Sequence, residues 1–191
     1  MENTIKYNII YADPPWDYGD KKSYELKKNG SRSVYGKRAT GHYLTMKTEE
    51  ICNLNISKLT DDNCVLFLWV TFPKIFEAEK IMKSWGFRYC TIGFNWIKTT
   101  KNKKIFFGVG YYTKSNSEIC LIGMKGQLKP ISNSISSIVH YLKQEHSRKP
   151  AIIREKIVEL FGDLPRIELF ARKKNYGWDS WGNEIISDIN I

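Results

Sequence analysis

The sequence lacks the features of a membrane or secreted protein. No apolar stretch approaches the roughly 18 residues that a membrane-spanning helix needs. Residues 1–4 do not lead from a basic segment into a long apolar one, as a secretory signal would. We therefore expect a cytoplasmic protein that makes no contact with a membrane.

Cysteine and histidine are few, and their spacing does not suit a metal. The four cysteines form no Cys-x-x-Cys pair and lie mostly within apolar stretches, which favours buried free thiols over disulfides or zinc binding. The histidines at 42, 140 and 146 do not have the spacing of metal ligands. The sequence therefore predicts no metal site.

Acidic residues are outnumbered by basic ones. Thirty Lys and Arg against twenty Asp and Glu give a net charge of +10, which favours a polyanionic partner, with nucleic acid the simplest candidate. Aromatic residues make up 14% of the chain and suit stacking on bases, although many must belong to the core. The length of 191 residues and the 42% hydrophobic content predict a single domain, residues 1–191.

Apolar strands alternate with helical segments along the chain. Strands are predicted at 7–12, 64–70, 88–98, 118–124, 138–141 and 166–171, and helices are predicted to begin at Thr48, Pro73 and Lys149. This order predicts an α/β fold with a mostly parallel, doubly wound sheet and helices on both faces. Such sheets bind ligands beyond the carboxyl ends of their strands, where Asp13 and Arg172 are expected to meet.

Two segments between these elements are candidate ligand contacts. Residues 17–42 are predicted to form one long basic loop near the site, which either contacts nucleic-acid backbone or is a solvated flap. Its candidate substrate contacts are Lys21, Lys22, Arg32, Lys37 and Arg38. The second segment, Gly108-Val109-Gly110, is either a tight turn or a ligand contact.

The most informative segment is Asp13-Pro14-Pro15-Trp16, directly after the first predicted strand. The prolines favour extended backbone, so that the acceptor groups of the turn are held outward, and local donors are not expected to satisfy its carbonyls. Asp13 and the Pro14 carbonyl can accept the two hydrogens of an exocyclic amine and make its nitrogen more nucleophilic. Trp16 offers a face for stacking on a base. The alternative is that the prolines end a strand and Trp16 fills the core.

A set of ordered segments resembles the N6-adenine methyltransferases related to the catalytic subunit of the messenger-RNA adenosine methylase. That family includes bacterial and phage DNA methylases. The matching segments are residues 12–16, 67–71, 147–150, 167–172 and 181–184. The resemblance implies a Rossmann-like methyltransferase fold with S-adenosylmethionine as the methyl donor.

The resemblance also implies roles for individual residues. Residues 13–16 match the catalytic turn, and Tyr43 matches an aromatic residue beside the active site. The residues that match the cofactor site are Asp13, Lys149, Arg172, Asn175, Asn183 and Glu184. One departure is Lys174, which stands where the messenger-RNA subunit has a histidine.

The expected activity is methyl transfer to the N6 amine of adenine in DNA, by a monomer or a homodimer. Four alternatives stay open: RNA as the substrate, a catalytically silent partner subunit of the same fold, methylation of cytosine N4, and a nucleic-acid-binding module that uses no cofactor. The presence of Asp13 argues against the silent subunit, because such partners tend to lose the acidic residue of the turn.

Overall fold

The computed structural model describes residues 5–18, 23–26, 32–35, 45–110, 112–144 and 148–191. Two 3₁₀ turns, Ile56–Lys58 and Phe72–Lys74, accompany the main elements. The strands and helices in chain order are β1 (Tyr7–Ala12), β2 (Ser23–Leu26), β3 (Arg32–Tyr35), α1 (Thr48–Cys52), β4 (Thr60–Val70), α2 (Ile75–Ser84), β5 (Arg88–Thr99), β6 (Ser117–Lys125), β7 (Ile138–Leu142), α3 (Ile152–Phe161), β8 (Arg166–Leu169) and β9 (Asp179–Trp181).

Seven strands form one sheet in the order β7-β5-β6-β4-β1-β8-β9. Within this described sheet β6 is antiparallel to β4 and β5, whereas the other neighbouring strands pair in parallel. Six strands therefore run in one direction, and their carboxyl ends share one edge of the sheet. Because the predicted catalytic turn follows β1, we call this the catalytic edge. The predicted mostly parallel sheet is confirmed.

Helices cover both faces of the sheet, as predicted. Alternate side chains of a strand point to opposite faces, so the continuously buried strands β1 and β4 contribute to two cores. On one face, α1 and α2 pack through Ile51, Ala78, Ile81 and Met82. On the other face, α3 packs through Ile153, Ile157 and Phe161, which recur every four residues along one side of the helix.

Several predicted boundaries were wrong. Residues 17–42 are not one continuous loop, because β2 and β3 pair there as an antiparallel two-stranded sheet. Pro73 lies in a 3₁₀ turn, and α2 begins at Ile75. The last predicted strand ends early because Phe170 adopts a φ of 60°, a left-handed conformation that an extended strand does not accommodate.

Strand β9 was not predicted, and it extends the sheet beyond β8. The edge strand β7 and the end of α3 at Phe161, followed by Gly162 with a φ of 89°, agree with the sequence, whereas α3 begins at Ile152 rather than at Lys149. Among the helices that the structure describes, none combines the length and the apolar character needed to cross a membrane.

Candidate active site

The Asp13–Trp16 turn lies at the catalytic edge, directly after β1. The Pro15 carbonyl accepts the Met46 N–H at 2.8 Å, and the Asp17 N–H donates to the Met46 carbonyl at 3.0 Å, which fixes the turn against residues 45–47. The Pro14 carbonyl accepts the Trp16 N–H at 2.9 Å. The expectation that local donors leave these carbonyls unmatched was therefore wrong, although a carbonyl oxygen has a second lone pair.

An open pocket with about 440 Å³ of empty space adjoins the turn. Its walls come from the turn itself, the end of β4 with Thr71 after it, and three charged side chains, Glu118, Lys149 and Arg172. The expectation that Asp13 and Arg172 face one cleft is confirmed. The pocket lies where strand order predicts a ligand site, beyond the carboxyl ends of β1, β4 and β8.

Four charged side chains form a chain of alternating sign, three of them in the wall of the pocket and the fourth, Lys98, beyond it. The Lys149 Nζ lies 2.7 Å from Asp13 Oδ1 and 2.8 Å from Asp13 Oδ2. The same Nζ lies 3.3 Å from Glu118 Oε2, and Lys98 Nζ lies 2.5 Å from Glu118 Oε1. The side chain of Lys149 is 9% exposed, so its charge depends on these carboxylates rather than on water.

Burial and charge pairing oppose each other in this cluster. Burial raises the pKa of the Asp13 carboxyl, and the Lys149 ammonium lowers it only in part. Burial lowers the pKa of Lys149, but the neighbouring Asp13 and Glu118 carboxylates raise it by more, so the Lys149 pKa is raised overall. Likewise, Lys149 and Lys98 lower the pKa of Glu118 although burial raises it. Lys149 is therefore a permanent cation beside Asp13.

Trp16 contributes to the core as well as to the pocket wall. It is 5% exposed and belongs to the apolar cluster beneath α1 and α2. Its indole N–H donates to the Trp69 carbonyl at 3.3 Å. Most of the ring is therefore covered by protein, as in the core-filling alternative, and its stacking on a base stays a prediction.

The predicted cofactor residues divide into two groups. Arg172 lines the pocket, and its Nε lies 3.5 Å from Glu184 Oε1 at the exposed rim, next to the exposed Asn183. Asn175 does not line this pocket, and its amide donates at 2.9 Å to Glu168 Oε2. The predicted roles of Asn175, Asn183 and Glu184 at a cofactor stay predictions.

Most predicted substrate contacts lie outside the described residues. These are Lys21, Lys22, Lys37, Arg38 and Tyr43. The backbone of Arg32 opens β3. Their proposed contacts with nucleic acid stay predictions.

Sequence reasoning missed Glu118, Lys98 and Tyr18. Glu118 is 9% exposed and stands at the beginning of the apolar strand β6, which is an unusual place for a carboxylate and was an available signal. Its partners cannot be read from the sequence, because β6 is inserted between β4 and β5 in the reverse direction. Tyr18 lines the pocket, and its hydroxyl lies 2.8 Å from Thr71 Oγ1.

Taken together, the sheet order and the acidic Pro-Pro-aromatic turn at the catalytic edge define a Rossmann-like methyltransferase fold. Residues 7–184 match the family described as MT-A70, and the chain belongs to this methyltransferase family. The match includes every strand and helix described above.

Curated relatives come from bacteria, plants and animals. The chain is 36% identical over 188 residues to the Type II methyltransferase M.MunI of a Mycoplasma species, covering 94% of this chain and 78% of that protein. It is 29% identical over 185 residues to the human N(6)-adenosine-methyltransferase catalytic subunit METTL3, and 28% identical over 183 residues to an Arabidopsis thaliana N(6)-adenosine-methyltransferase MT-A70-like protein. Those two matches cover 94% of this chain but only 28% and 24% of the human and plant proteins.

Proposed function

We propose that the protein transfers a methyl group from S-adenosylmethionine to the N6 amine of adenine in DNA. The observation that carries the proposal is the Asp13 carboxylate, fixed by Lys149 at the wall of an open pocket beside the Pro14 carbonyl. Two acceptors in this position can receive the two hydrogens of an exocyclic amine.

The residues present fit the proposed cofactor. S-adenosylmethionine supplies a methyl group on a positively charged sulfur, and it also carries a carboxylate, an ammonium group and two ribose hydroxyls. The rim offers a cation, Arg172, for the carboxylate and an acceptor, Glu184, for the hydroxyls. The pocket is open to solvent beside these groups, so a ligand can reach Asp13 from outside the protein.

Asp13 acts by orientation rather than as a strong base. A carboxylate has about four acceptor sites, so Asp13 can keep its contacts with Lys149 and still accept a hydrogen from the amine. The negative charge at Asp13 favours the positive charge that develops on the amine nitrogen as it is methylated. Holding the nitrogen in line with the reacting carbon supplies much of the remaining acceleration.

Adenine in a duplex must leave the base stack before its amine can reach Asp13. The net charge of +10 supports a nucleic-acid substrate. We favour DNA over RNA because the chain is more similar to the relative named a Type II methyltransferase than to those named N(6)-adenosine-methyltransferases. RNA is the second candidate, because several relatives carry the latter name.

The test uses tritiated S-adenosylmethionine with DNA or RNA, followed by digestion to nucleosides and mass spectrometry. We expect N6-methyladenine in DNA. Asp13→Ala should lower the rate at least 100-fold, because the amine loses its main acceptor, whereas cofactor affinity measured by calorimetry should fall much less.

The matched control is Asp62→Ala, which removes an exposed carboxylate at the opposite edge of the sheet and should keep full activity. Wild-type activity in Asp13→Ala would contradict the assignment of Asp13. A methylated base other than adenine, or methylation of RNA alone, would contradict the proposed substrate.

A further inference from the structure

A basic and aromatic segment projects from the catalytic edge, outside the pocket. It comprises residues 100–116, which connect β5 to β6, and we call it the 100–116 segment. The Thr100 N–H donates to the Lys104 carbonyl at 2.8 Å, which closes a first turn. Gly108 and Ser115 exchange backbone hydrogen bonds of 3.1 and 3.3 Å, which close a second turn. Backbone pairing therefore holds the two turns of the segment among its described residues.

The glycines explain how the second turn closes. A Cβ on Gly110 would lie 1.8 Å from the Thr113 carbonyl oxygen, and a Cβ on Gly108 would lie 2.4 Å from that of Ser115. The Gly-x-Gly pattern therefore serves the tight turn, as one of the two sequence interpretations held. The glycines let residues 108–110 approach residues 113–115 closely.

Many of the exposed side chains of the segment are cationic or apolar. Its lysines, Lys101, Lys103, Lys104 and Lys114, are all exposed, and residues 100–116 contain no acidic residue. Phe107 is 67% exposed, Val109 98% and Tyr112 93%. Cations beside exposed aromatic rings suit a ligand with phosphates and flat bases.

The residues that flank the segment belong to the ion-pair cluster of the pocket. Lys98, just before the segment, forms an ion pair with Glu118, just after it. Glu118 in turn contacts Lys149, which holds Asp13. The two ends of the segment are therefore linked to Asp13 through Glu118 and Lys149.

We propose that the 100–116 segment binds the DNA duplex beside the target adenine. This inference rests on the proposed function. The lysines contact phosphates, while Phe107, Val109 and Tyr112 lie against the bases next to the one that leaves the stack. Apolar side chains commonly enter base steps that are opened in this way. A second copy of the chain is a poorer partner for this surface, because both copies carry +10.

The first test is the triple variant K101Q/K103Q/K104Q, with affinity for a fluorescein-labelled random-sequence duplex measured by anisotropy over a salt series. We expect a loss of affinity of at least tenfold at low salt. The slope of log affinity against log salt should become shallower by roughly 2.7, since each phosphate contact contributes about 0.9. The KM for DNA should rise while kcat and the cofactor Kd stay unchanged.

The matched control is K6Q/K58Q/K129Q, which removes the same charge from exposed lysines at or near the opposite edge of the sheet. It should bind like the wild type. A second variant, Phe107→Ala, should lower affinity about tenfold without changing the salt slope, because a ring contributes stacking rather than charge. Tyr89→Ala at the start of β5 is its control.

Equal losses of DNA affinity in the lysine variant and its control would overturn the inference. The proposed function would still stand if the wild type methylates DNA. If the lysine variant loses affinity for single-stranded RNA but not for the DNA duplex, the choice of duplex DNA as the partner is wrong. If Val109→Asp converts a wild-type dimer into monomers by ultracentrifugation without affecting DNA binding, the segment is a contact between copies and the inference is wrong. A wild type that neither binds nor methylates DNA would refute both proposals.

Discussion

At the scale of single residues, the contact between Asp13 and Lys149 determines what the pocket can do. A partly buried ionised carboxylate is stabilised by a cation beside it, and Lys149 supplies that cation within 2.8 Å of both oxygens. The ammonium also keeps part of the acceptor capacity of Asp13 occupied. We infer that a substrate amine shares the carboxylate with Lys149 rather than replacing it.

The raised pKa of Asp13 predicts the acidic limit of activity. The ionised form is the acceptor, so kcat/KM should fall as the pH drops through this pKa, above the range of an ordinary aspartate. Lys149→Met removes the charge that lowers the Asp13 pKa. The acidic limb of the pH–rate profile, where activity falls with decreasing pH, should therefore move to higher pH. Rates of single-turnover methyl transfer over a pH series measure this shift.

Two controls separate charge from structure in that experiment. Lys149→Arg keeps a cation and should leave the acidic limb near its wild-type position. Lys98→Met removes a cation that contacts Glu118 rather than Asp13. The acidic limb of its pH–rate profile should therefore move less than that of Lys149→Met. An acidic limb at the same or lower pH in Lys149→Met would contradict the role given to the ammonium.

The sequence predicted Asp13 and Lys149 separately but not their contact. Asp13 was identified by its position after a buried strand, and Lys149 by a family resemblance. They are 136 positions apart in the chain, and their meeting depends on α3 beginning at the same sheet edge where β1 ends. Glu118 was missed for a similar reason, since only the folded sheet brings β6 beside the pocket.

At the scale of elements, an ion pair joins α3 to β8 beneath the catalytic edge. Arg154 donates from Nε to Glu168 Oε2 at 2.7 Å and from Nη2 to Glu168 Oε1 at 2.5 Å. Glu168 is 7% exposed and also accepts from Asn175, which begins the return towards β9. One carboxylate thus connects a helix, a strand and the loop that follows it.

Arg154→Leu should lower the free energy of unfolding by about 3–5 kcal/mol, because it leaves the Glu168 carboxylate buried without its cation. The double variant R154L/E168L should recover much of this loss, because it also removes the unpaired, buried Glu168 carboxylate. Urea denaturation followed by circular dichroism gives both values. Lys156→Leu on the same helix is the control, with an expected change within about 0.5 kcal/mol. A double variant less stable than the single one would contradict this account.

The elements predicted from sequence were those whose composition is unambiguous. Strand β4 contains seven consecutive buried residues, and such a run is readable without knowing its neighbours. Strand β9 has three residues, and its position depends on close packing, since a Cβ on Gly182 would lie 2.2 Å from the Ala171 carbonyl oxygen. The left-handed turn at Phe170 could not be predicted from the sequence either, because aromatic residues rarely adopt this conformation.

At the scale of the whole molecule, the pocket ties together distant parts of the chain. Its walls run from Asp13 near one end to Arg172 near the other, and they include residues from both halves of the sheet. The proposed cofactor would contact these segments only when they are assembled. Its binding energy therefore adds to the stability of the fold as a whole.

This predicts a thermal shift on addition of S-adenosylmethionine. At a free concentration about 100 times its Kd, a ligand that binds only the folded state adds about 2.7 kcal/mol. For a domain of this size each kcal/mol raises Tm by about 2–4 °C, so the expected increase is roughly 5–10 °C by differential scanning calorimetry. Arg172→Ala, which removes the rim cation, should reduce the shift at the same concentration, whereas Asp62→Ala at the opposite edge should keep it. An unchanged Tm in the wild type at millimolar cofactor would mean that this pocket does not bind the proposed methyl donor.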